Sequence, residues 1–302
     1  MSAPRRLVLA SVPVAAGLAW QQYRRAVRAV DAHPSLAPAL PGERRHIATP
    51  WGSASYRWVQ GNPDRPALVL VHGWGKTADS CWWPIIAGCD RSMVVVDLPG
   101  HGTSELNQPF TFALAADAVD RAITHAGVDR PLLIAHSMGG PVALTAVRQL
   151  GSDAFSGLAV LATSAYWVRP RLRVMMAMAP YAMAPRSPVL IHRERAEFRD
   201  APHVAHHIAW AYTRRPSRRL LDETAHELRR FDARLWSDLR LPHTTWVVAA
   251  RDGVLSADHQ RASARHFGAD IVELDAQHSM VIQAPEEVLE IIKGLGARPI
   301  PV

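Results

Sequence analysis

The residue best placed for covalent chemistry is Ser137, which stands in the segment AHSMGG (135–140) between an aliphatic run and a run with helical spacing. A serine hydroxyl can attack a carbonyl carbon, although it is a weak nucleophile unless a base lies beside it. A sharp turn from strand to helix exposes such a hydroxyl and requires small residues two positions before and after it. Ala135 and Gly139 meet that requirement, and Gly140 allows close packing of the helix. The segment therefore predicts a nucleophile elbow rather than a serine that only caps a helix.

The base for this nucleophile, and the acid that orients the base, are expected after later strands, because a serine-first chain order places them there. Asp252 follows the mainly aliphatic run TTWVVAA (244–250) in a turn. His278 lies in the loop after the last strand-like run, DIVEL (270–274). The competing acids and bases lie at helical positions or too close in sequence to His278; they are Asp258, Asp275, His259 and His266. Asp252 and His278 are therefore the predicted acid and base.

The loop HGWG (72–75) directly follows the aliphatic run LVLV (68–71). Acyl transfer needs backbone N–H groups aimed at the oxyanion that develops during the attack. The predicted donors are the Trp74 N–H in this loop and the Met138 N–H at the start of the helix after Ser137. Glycine could also serve a tight turn alone, but the loop is in register with the other motifs. The indole of Trp74 is also expected to contact the substrate.

Strand-like and helical runs alternate along most of the chain. Runs of strand length, mostly aliphatic, lie at 67–71, 93–97, 131–135, 158–162, 244–250 and 270–274. The region 45–60 has the pattern of a hairpin. Helical spacing occurs at 110–126, 138–150, 256–267 and 285–293. Continuous apolar strands that alternate with helices are typical of a parallel sheet covered on both faces.

Together, the motifs resemble those of the α/β-hydrolase family, in particular lidded serine hydrolases of the esterase and lipase type. The matching pieces span Val71 to Met280 and are HGWG (72–75), DLPGHGTS (97–104), AHSMGG (135–140), Asp252 and His278. The resemblance implies an α/β fold with a mostly parallel eight-stranded sheet, helices on both faces and a helical lid inserted after strand six. It also implies a catalytic triad of Ser137, His278 and Asp252, with the Trp74 and Met138 amides as the oxyanion hole.

Two positions depart from the family pattern. Ala135 replaces the usual glycine two residues before the nucleophile, and Gln277 replaces the usual glycine before the catalytic histidine. Neither change removes a catalytic group. In such families the stretch that begins at Asp97 is a structural loop, so Asp97 and His101 are assigned no catalytic role.

The interval 164–240 differs in composition from the rest of the chain and is predicted to be the lid, with the core formed by 44–163 and 241–302. It contains 15 Arg against 8 Asp and Glu, an excess equal to the net charge of +7 of the whole chain. Its methionines, Met175 among them, suit either an adaptable acyl pocket or the packing of the lid on the core. The basic surface is expected either to contact anionic substrates and lipid headgroups or to be simply solvated.

Residues 1–43 are predicted to form an N-terminal segment and linker outside the core. A 14-residue, mainly apolar run from Leu7 to Trp20 lies between two pairs of Arg. The run is shorter than the ~20 residues of a membrane-spanning helix, and it is compatible with a signal sequence, an interfacial segment or a helix packed on the domain. Three locations are left open, namely the cytoplasm, a membrane contacted through residues 7–25, and export.

Composition excludes several classes of protein. The chain has 302 residues and is 48% hydrophobic and 20% charged, which is too apolar for a disordered chain, and its 2 Cys cannot form a disulfide framework. The positive excess is local and no recognition module accompanies it, so nucleic acid is not an expected partner. His203, His206 and His207 could share a helix face, but no Cys or carboxylate pattern completes a metal site, and none is predicted.

The predicted function is hydrolysis of carboxylic esters with small to medium acyl chains, lipid esters included, through an acyl-enzyme that needs no metal or organic cofactor. The same triad could hydrolyse a C–C bond in a diketone-like metabolite, and a non-catalytic binding protein of the same fold is a third alternative. Substrate contacts are predicted at Trp74, His136, Met175 and Gln277.

Overall fold

Within the residues that the computed structural model describes, which are Gln21, 39–167 and 216–295, nine strands form a single sheet. The strands are β1 (Glu43–Thr49), β2 (Gly52–Val59), β3 (Leu68–Val71), β4 (Met93–Asp97), β5 (Glu105–Leu106), β6 (Leu132–His136), β7 (Gly157–Leu161), β8 (Thr244–Ala249) and β9 (Asp270–Leu274). Their order across the sheet is β1-β2-β4-β3-β6-β7-β8-β9, and β5 pairs with β2. The neighbouring strands from β4 through β3, β6, β7 and β8 to β9 are all parallel to one another. Strand β2 is antiparallel to its three partners, β1, β4 and β5. The prediction of a mostly parallel sheet is confirmed.

Eight of these strands correspond to the eight that the sequence predicts, and β5 is an additional strand. Glu105 and Leu106 pair with Ser53 and Gly52 at the start of β2. Two residues are too few to show an alternating pattern, so no periodicity reveals β5.

Seven α-helices lie within the described residues, and they are α1 (Ala78–Gly88), α2 (Phe112–Ala126), α3 (Gly139–Leu150), α4 (Arg218–Arg230), α5 (Ala257–His266), α6 (Met280–Gln283) and α7 (Pro285–Gly294). The sequence analysis does not predict α1 or the four-residue α6. Helix α1 contains Pro84 and buries most of its residues, so it has no amphipathic pattern. Its start is set by a capping box, in which the Thr77 side chain accepts from the Ser80 N–H and the Ser80 side chain accepts from the Thr77 N–H.

Hydrophobic cores on both faces of the sheet hold the helices in place. In β3, Val69 and Val71 pack in the core that contains α2 and α3, whereas Leu68 and Leu70 pack in the core that contains α1, α6 and α7. All four side chains are completely buried. Burial of one such side chain contributes roughly 1.5–3 kcal/mol of hydrophobic stabilisation. Coverage of both faces explains why β3 is aliphatic throughout instead of alternating, and it confirms the expected helices on both faces.

The carboxyl ends of four parallel strands bring distant motifs to one edge of the sheet. The HGWG loop follows β3, Ser137 follows β6, Asp252 comes shortly after β8, and His278 comes shortly after β9. Open parallel sheets place their ligand sites at this edge. The fold therefore gathers residues that are more than two hundred positions apart in the sequence, as His72 and His278 are.

Only two parts of the predicted lid, 164–167 and 216–240, lie within the described residues. Helix α4, in the second part, buries Leu220, Ala225 and Leu228 in the core that contains α2 and α3. Met175 lies outside the described residues, together with 9 of the 15 Arg of the interval. The run Leu7–Trp20 lies outside them as well. None of the described helices is long and apolar enough to cross a bilayer.

Candidate active site

The backbone of Ser137 forms a sharp turn between β6 and α3. Its φ angle is +53°, in a region that residues other than glycine rarely adopt. Three hydrogen bonds hold the turn. The Ser137 N–H donates to the Leu161 carbonyl (2.9 Å). The Ser137 carbonyl accepts from the Gly140 N–H (2.9 Å) and from the Thr163 hydroxyl (2.6 Å). The surrounding fold thus imposes a strained conformation on this residue.

Two glycines at the start of α3 let the helix lie directly against the sheet. A Cβ atom on Gly139 would lie 2.5 Å from the Val71 carbonyl oxygen, and one on Gly140 would lie 2.2 Å from the Thr163 Oγ1 atom. Both distances are far inside van der Waals contact, so neither position accepts a side chain without rearrangement. Ala135, where glycine is usual in the family, is completely buried in β6.

A continuous chain of hydrogen bonds joins Ser137, His278 and Asp252. The Ser137 Oγ atom lies 2.8 Å from His278 Nε2, and His278 Nδ1 lies 2.7 Å from Asp252 Oδ2. A carboxylate can only accept, so His278 Nδ1 carries the proton, and Nε2 is left to accept from the Ser137 hydroxyl. This arrangement can remove a proton from the serine and stabilise the charged imidazole that results.

The Asp252 side chain is completely buried, and its charge is held by hydrogen bonds. The Oδ1 atom accepts from the Val254 N–H (2.7 Å) and the Leu255 N–H (2.9 Å). Burial alone would raise the pKa of Asp252, but the facing His278 and these hydrogen bonds lower it below its usual range. Asp252 is therefore a carboxylate at neutral pH, as an orienting acid must be.

Gln260, in helix α5, is a further residue of the site that the sequence analysis misses. Its side chain is completely buried. The amide nitrogen donates to Asp252 Oδ2 (2.9 Å) and to the Leu255 carbonyl (2.8 Å), and the amide oxygen accepts from the Ala249 N–H (3.0 Å). Gln260 thus ties the acid to the end of β8. A glutamine among the charged residues of α5 carries no signal of this role in the sequence.

The competing acids and bases lie elsewhere. Asp258 and Asp275 are exposed and form ion pairs with Arg261 and Arg251, respectively. The His259 Nε2 atom lies 2.8 Å from the Tyr166 carbonyl oxygen, and His266 is exposed at the last residue of α5. Of the acids and bases considered, the structure therefore brings only Asp252 and His278 to Ser137.

The HGWG loop lies against the nucleophile elbow. A Cβ atom on Gly73, the residue before Trp74, would lie 3.1 Å from the Ser137 Cβ atom. Met138 follows Ser137 directly and caps α3. The loop that contains Trp74 and the N-terminus of α3 are therefore the two backbone segments next to the nucleophile. His72 fixes the base of the loop, because its Nδ1 donates to the Gly73 carbonyl (2.9 Å) and its Nε2 accepts from the Leu98 N–H (3.1 Å).

His136 is bonded to the protein through both ring nitrogens. Its Nε2 donates to the His278 carbonyl (2.8 Å), and its Nδ1 lies 3.7 Å from the Cys81 sulfur. Burial, with a smaller effect of the nearby His278, lowers the pKa of His136 to about 3, and burial raises that of the Cys81 thiol to about 11. The ring is therefore neutral and accepts from the thiol. His136 is buried with both nitrogens engaged, and its hydrogen bond to the His278 carbonyl supports the loop of the base.

Of the other residues predicted to contact the substrate, Trp74 and Gln277 lie within the described residues. The Trp74 indole N–H donates to the Thr224 hydroxyl of α4 (2.7 Å). The Gln277 backbone N–H donates to Gln283 Oε1 (3.2 Å). Met175 and the histidines at 203, 206 and 207 lie outside the described residues. Among the residues that are described, no three His, Cys, Asp or Glu side chains cluster as metal ligands would.

Asp97 has the structural surroundings that the family pattern implies. Its buried carboxylate accepts from the Ala78 N–H (2.8 Å), the Thr103 N–H (3.2 Å) and the Ser55 hydroxyl (3.1 Å), and it forms an ion pair with Arg44. These partners belong to α1, to the loop after β4 and to the β1–β2 hairpin. Asp97 thus holds three segments together without contacting Ser137 or His278.

A model of the alpha/beta hydrolase family matches residues 68–291 of the chain. Among curated proteins, the hydrolase YugF of Bacillus subtilis is 35% identical over 111 residues, which is 36% of this chain and 40% of that protein. A pimeloyl-[acyl-carrier protein] methyl ester esterase of Neisseria meningitidis is 38% identical over 87 residues, which is 26% of this chain and 29% of the esterase. Each match thus spans less than half of the relative's own length.

The fold has solved counterparts over most of its length. The solved structure of a thermophilic esterase from Thermogutta terrifontis superposes with a TM-score of 0.70 at 23% identity, over 84% of this chain and 97% of the esterase. At that level of identity the likeness concerns the fold alone. Since the family model covers most of the residues and the sheet has the same architecture, the chain belongs to the alpha/beta hydrolase family.

Proposed function

We propose that the protein is a serine hydrolase that cleaves carboxylic esters of small to medium acyl chains, lipid esters included, through an acyl-enzyme. The observation that carries the proposal is the chain of hydrogen bonds from Ser137 through His278 to Asp252, with contacts of 2.8 and 2.7 Å. A nucleophile, its base and an orienting acid in hydrogen-bond contact are the arrangement that activates a serine.

In the acylation half, the Ser137 oxygen attacks the ester carbonyl carbon while His278 Nε2 takes the serine proton. The Trp74 and Met138 amides donate to the oxyanion of the tetrahedral intermediate, and removal of one such donor typically costs 10²–10³-fold in rate. Asp252 keeps the imidazole in the required tautomer and stabilises its positive charge. The intermediate collapses when His278 gives the proton to the leaving alkoxide.

In the deacylation half, His278 takes a proton from water, which attacks the acyl carbon bound to Ser137. Collapse of the second intermediate releases the carboxylic acid, and the proton returns to the serine oxygen. Every proton transfer uses the same ring nitrogen, so no step requires a metal or an organic cofactor.

Two further features support an ester as the substrate. The match with the Neisseria methyl ester esterase is the most direct, although it covers 26% of this chain. The second is the serine itself, because an elbow nucleophile with an attached base is suited to acyl transfer.

Labelling with a serine-directed fluorophosphonate tests the nucleophile. We expect the wild-type protein to be labelled and Ser137→Ala to be unlabelled, while Ser256→Ala, at an exposed serine, is labelled like the wild type. Absence of labelling in a correctly folded wild-type protein would remove the hydrolase proposal and favour a binding protein of the same fold.

A panel of chromogenic esters of increasing chain length tests the substrate class. We expect turnover that depends on Ser137, with the largest kcat/KM at short or medium acyl chains. If every ester fails while a vinylogous diketone is cleaved by the wild type but not by Ser137→Ala, the enzyme is a C–C hydrolase instead.

Membrane contact is proposed from the sequence of residues 7–25 and from the Arg excess of 164–240. Anionic lipid headgroups are the partner that this chemistry fits. Co-sedimentation with vesicles tests this contact. We expect the full chain to bind phosphatidylglycerol vesicles more strongly than phosphatidylcholine vesicles, and a chain lacking residues 1–30 to bind phosphatidylglycerol vesicles less. Equal and weak binding of both chains to both vesicles would contradict this.

A further inference from the structure

The indole of Trp74 connects the HGWG loop to helix α4. Its N–H donates to the Thr224 Oγ1 atom over 2.7 Å, although the two residues are 150 positions apart. Thr224 is completely buried. Its own hydroxyl proton is directed to carbonyl oxygens of α4, with Oγ1 2.8 Å from Leu220 O and 3.1 Å from Leu221 O. The hydroxyl is therefore oriented with a lone pair toward the indole.

Helix α4 is itself fixed to the core near this contact. The Glu223 carboxylate accepts from the Phe110 N–H (3.0 Å), just before α2. Leu220 packs on Gly100, where a Cβ atom would lie 2.7 Å from the Leu220 Cδ2 atom. These contacts make α4 a stable reference point from which Thr224 can hold the indole.

The Trp74 side chain also packs against the core that contains α2 and α3, but the backbone around it is intrinsically free to turn. The residue is flanked by Gly73 and Gly75, and Gly75 has a φ angle of +68°. Glycine leaves the backbone more conformational freedom than any other residue. Between two glycines, the hold on the Trp74 side chain helps to set the direction of the Trp74 amide, and the indole N–H has Thr224 as its acceptor.

We propose that Thr224 is a positioning residue that, by holding the Trp74 indole, aims the Trp74 amide at the oxyanion. The inference rests on the proposed function, since only a reaction with an oxyanion makes use of this amide. It assigns α4, which lies in the interval between β7 and β8, a part in the rate of the chemical step. The alternative is a purely structural threonine that satisfies the carbonyls of its own helix.

The test compares Thr224→Val, Thr224→Ser, Trp74→Phe and the double variant Thr224→Val/Trp74→Phe with the wild type. Valine keeps the shape of threonine and leaves the indole N–H without its acceptor. We expect Thr224→Val to lower kcat roughly five- to tenfold with little change in KM, which is less than the 10²–10³-fold loss of a complete oxyanion donor. We expect Thr224→Ser, which keeps the hydroxyl, to remain near the wild-type kcat.

The double variant separates positioning from structure. If Thr224 acts through the indole, Thr224→Val has no further effect on kcat in the Trp74→Phe background, where the indole N–H is already absent. A matched control is Thr145→Val in α3, because the Thr145 hydroxyl also donates to a carbonyl of its own helix (2.8 Å, Pro141), whereas the Trp74 indole donates to Thr224. We expect the control to leave kcat unchanged.

A second measurement does not depend on activity. In protein labelled with ¹⁵N-tryptophan, the indole resonance that is lost in Trp74→Phe should be protected from hydrogen exchange in the wild type and in Thr224→Ser. It should exchange rapidly in Thr224→Val. This exchange measurement does not depend on whether an ester is the substrate.

Three results would overturn the inference, namely a wild-type kcat in Thr224→Val, an equal effect of Thr224→Val in the Trp74→Phe background, or a serine variant as slow as the valine variant. Failure of the proposed function looks different, because the wild type itself would then not react with the fluorophosphonate.

Discussion

Two regions at the carboxyl edge of the sheet contain the same residue types and differ in what those residues contact. At the end of β4, the buried Asp97 is ion-paired with Arg44, while His72 and its neighbour His101 take backbone partners. After β8 and β9, the equally buried Asp252 has His278 as its partner. The first carboxylate meets a permanent positive charge, whereas the second meets a ring that becomes charged only when it takes a proton. The partner, rather than the residue type, thus separates a structural carboxylate from one suited to catalysis.

The largest expected effect is on the activity of Asp252→Asn. Asparagine keeps the size of the side chain but favours the wrong tautomer of His278, so we expect kcat to fall by about 10⁴-fold. The change in the free energy of unfolding should be small by comparison. Steady-state kinetics and denaturant unfolding measure the two quantities. An active Asp252→Asn enzyme would show that the two regions do not differ as described.

Asp97→Asn should have the opposite profile. Removal of one partner from a buried ion pair typically costs 3–5 kcal/mol, and we expect about 3 kcal/mol because Arg44 keeps a second partner, Asp79, at 2.8 Å. The kcat per folded molecule should stay within a few-fold of the wild type. Active-site titration with the fluorophosphonate provides the folded fraction, and a large loss of kcat in fully titratable protein would contradict this.

The buried histidines and Asp252 should affect stability in different ranges of pH. Burial lowers the pKa of His72 to about 4 and that of His101 to about 3, so both take up a proton on unfolding below about pH 6.5. Below this pH the unfolded state binds more protons than the folded state. The free energy of unfolding should therefore decrease as the pH is lowered from about 6.5 toward 4, by up to about 1.4 kcal/mol per pH unit for each group. His136, whose pKa is lowered in the same way, is a third such group.

Asp252 behaves differently, because its pKa is lowered and its contribution is lost only as the pH falls below the ordinary carboxyl range near 4. Urea unfolding of wild type and Asp252→Asn at a series of pH values separates the two ranges. A wild-type stability that stays constant between pH 6.5 and 4.5 would show that these histidines are not held neutral.

The smallest expected effect is that of His101→Phe. The ring is completely buried beside His72 and Phe110, at centroid distances of 5.0 and 6.2 Å, and its Nε2 atom has no hydrogen-bond partner among the described residues. Phenylalanine loses one hydrogen bond, so we expect a change within about 1 kcal/mol at pH 7. The pH dependence of stability should become shallower by the contribution of one histidine. Loss of most of the activity would instead give His101 a role that the structure does not indicate.

The chain order and the aliphatic runs are sufficient to predict eight of the nine strands and to select the three residues that the structure joins by hydrogen bonds. Both signals are local, because an aliphatic run marks a buried strand and the next residues mark its carboxyl end. Gln260 and Thr224 escape such reasoning because each acts through one contact with a residue in a different element. Helix α1 escapes it for a different reason, since a helix buried on most sides has no polar face to produce a period.

The backbone of Ser137 has a consequence for how such a protein changes over evolutionary time. A residue with a side chain pays about 1–2 kcal/mol to adopt a left-handed conformation, and glycine does not. Ser137→Gly would therefore be favoured wherever mutants are selected for a more stable fold, and the same substitution would delete the hydroxyl. At this position, selection for folding and selection for turnover act in opposite directions.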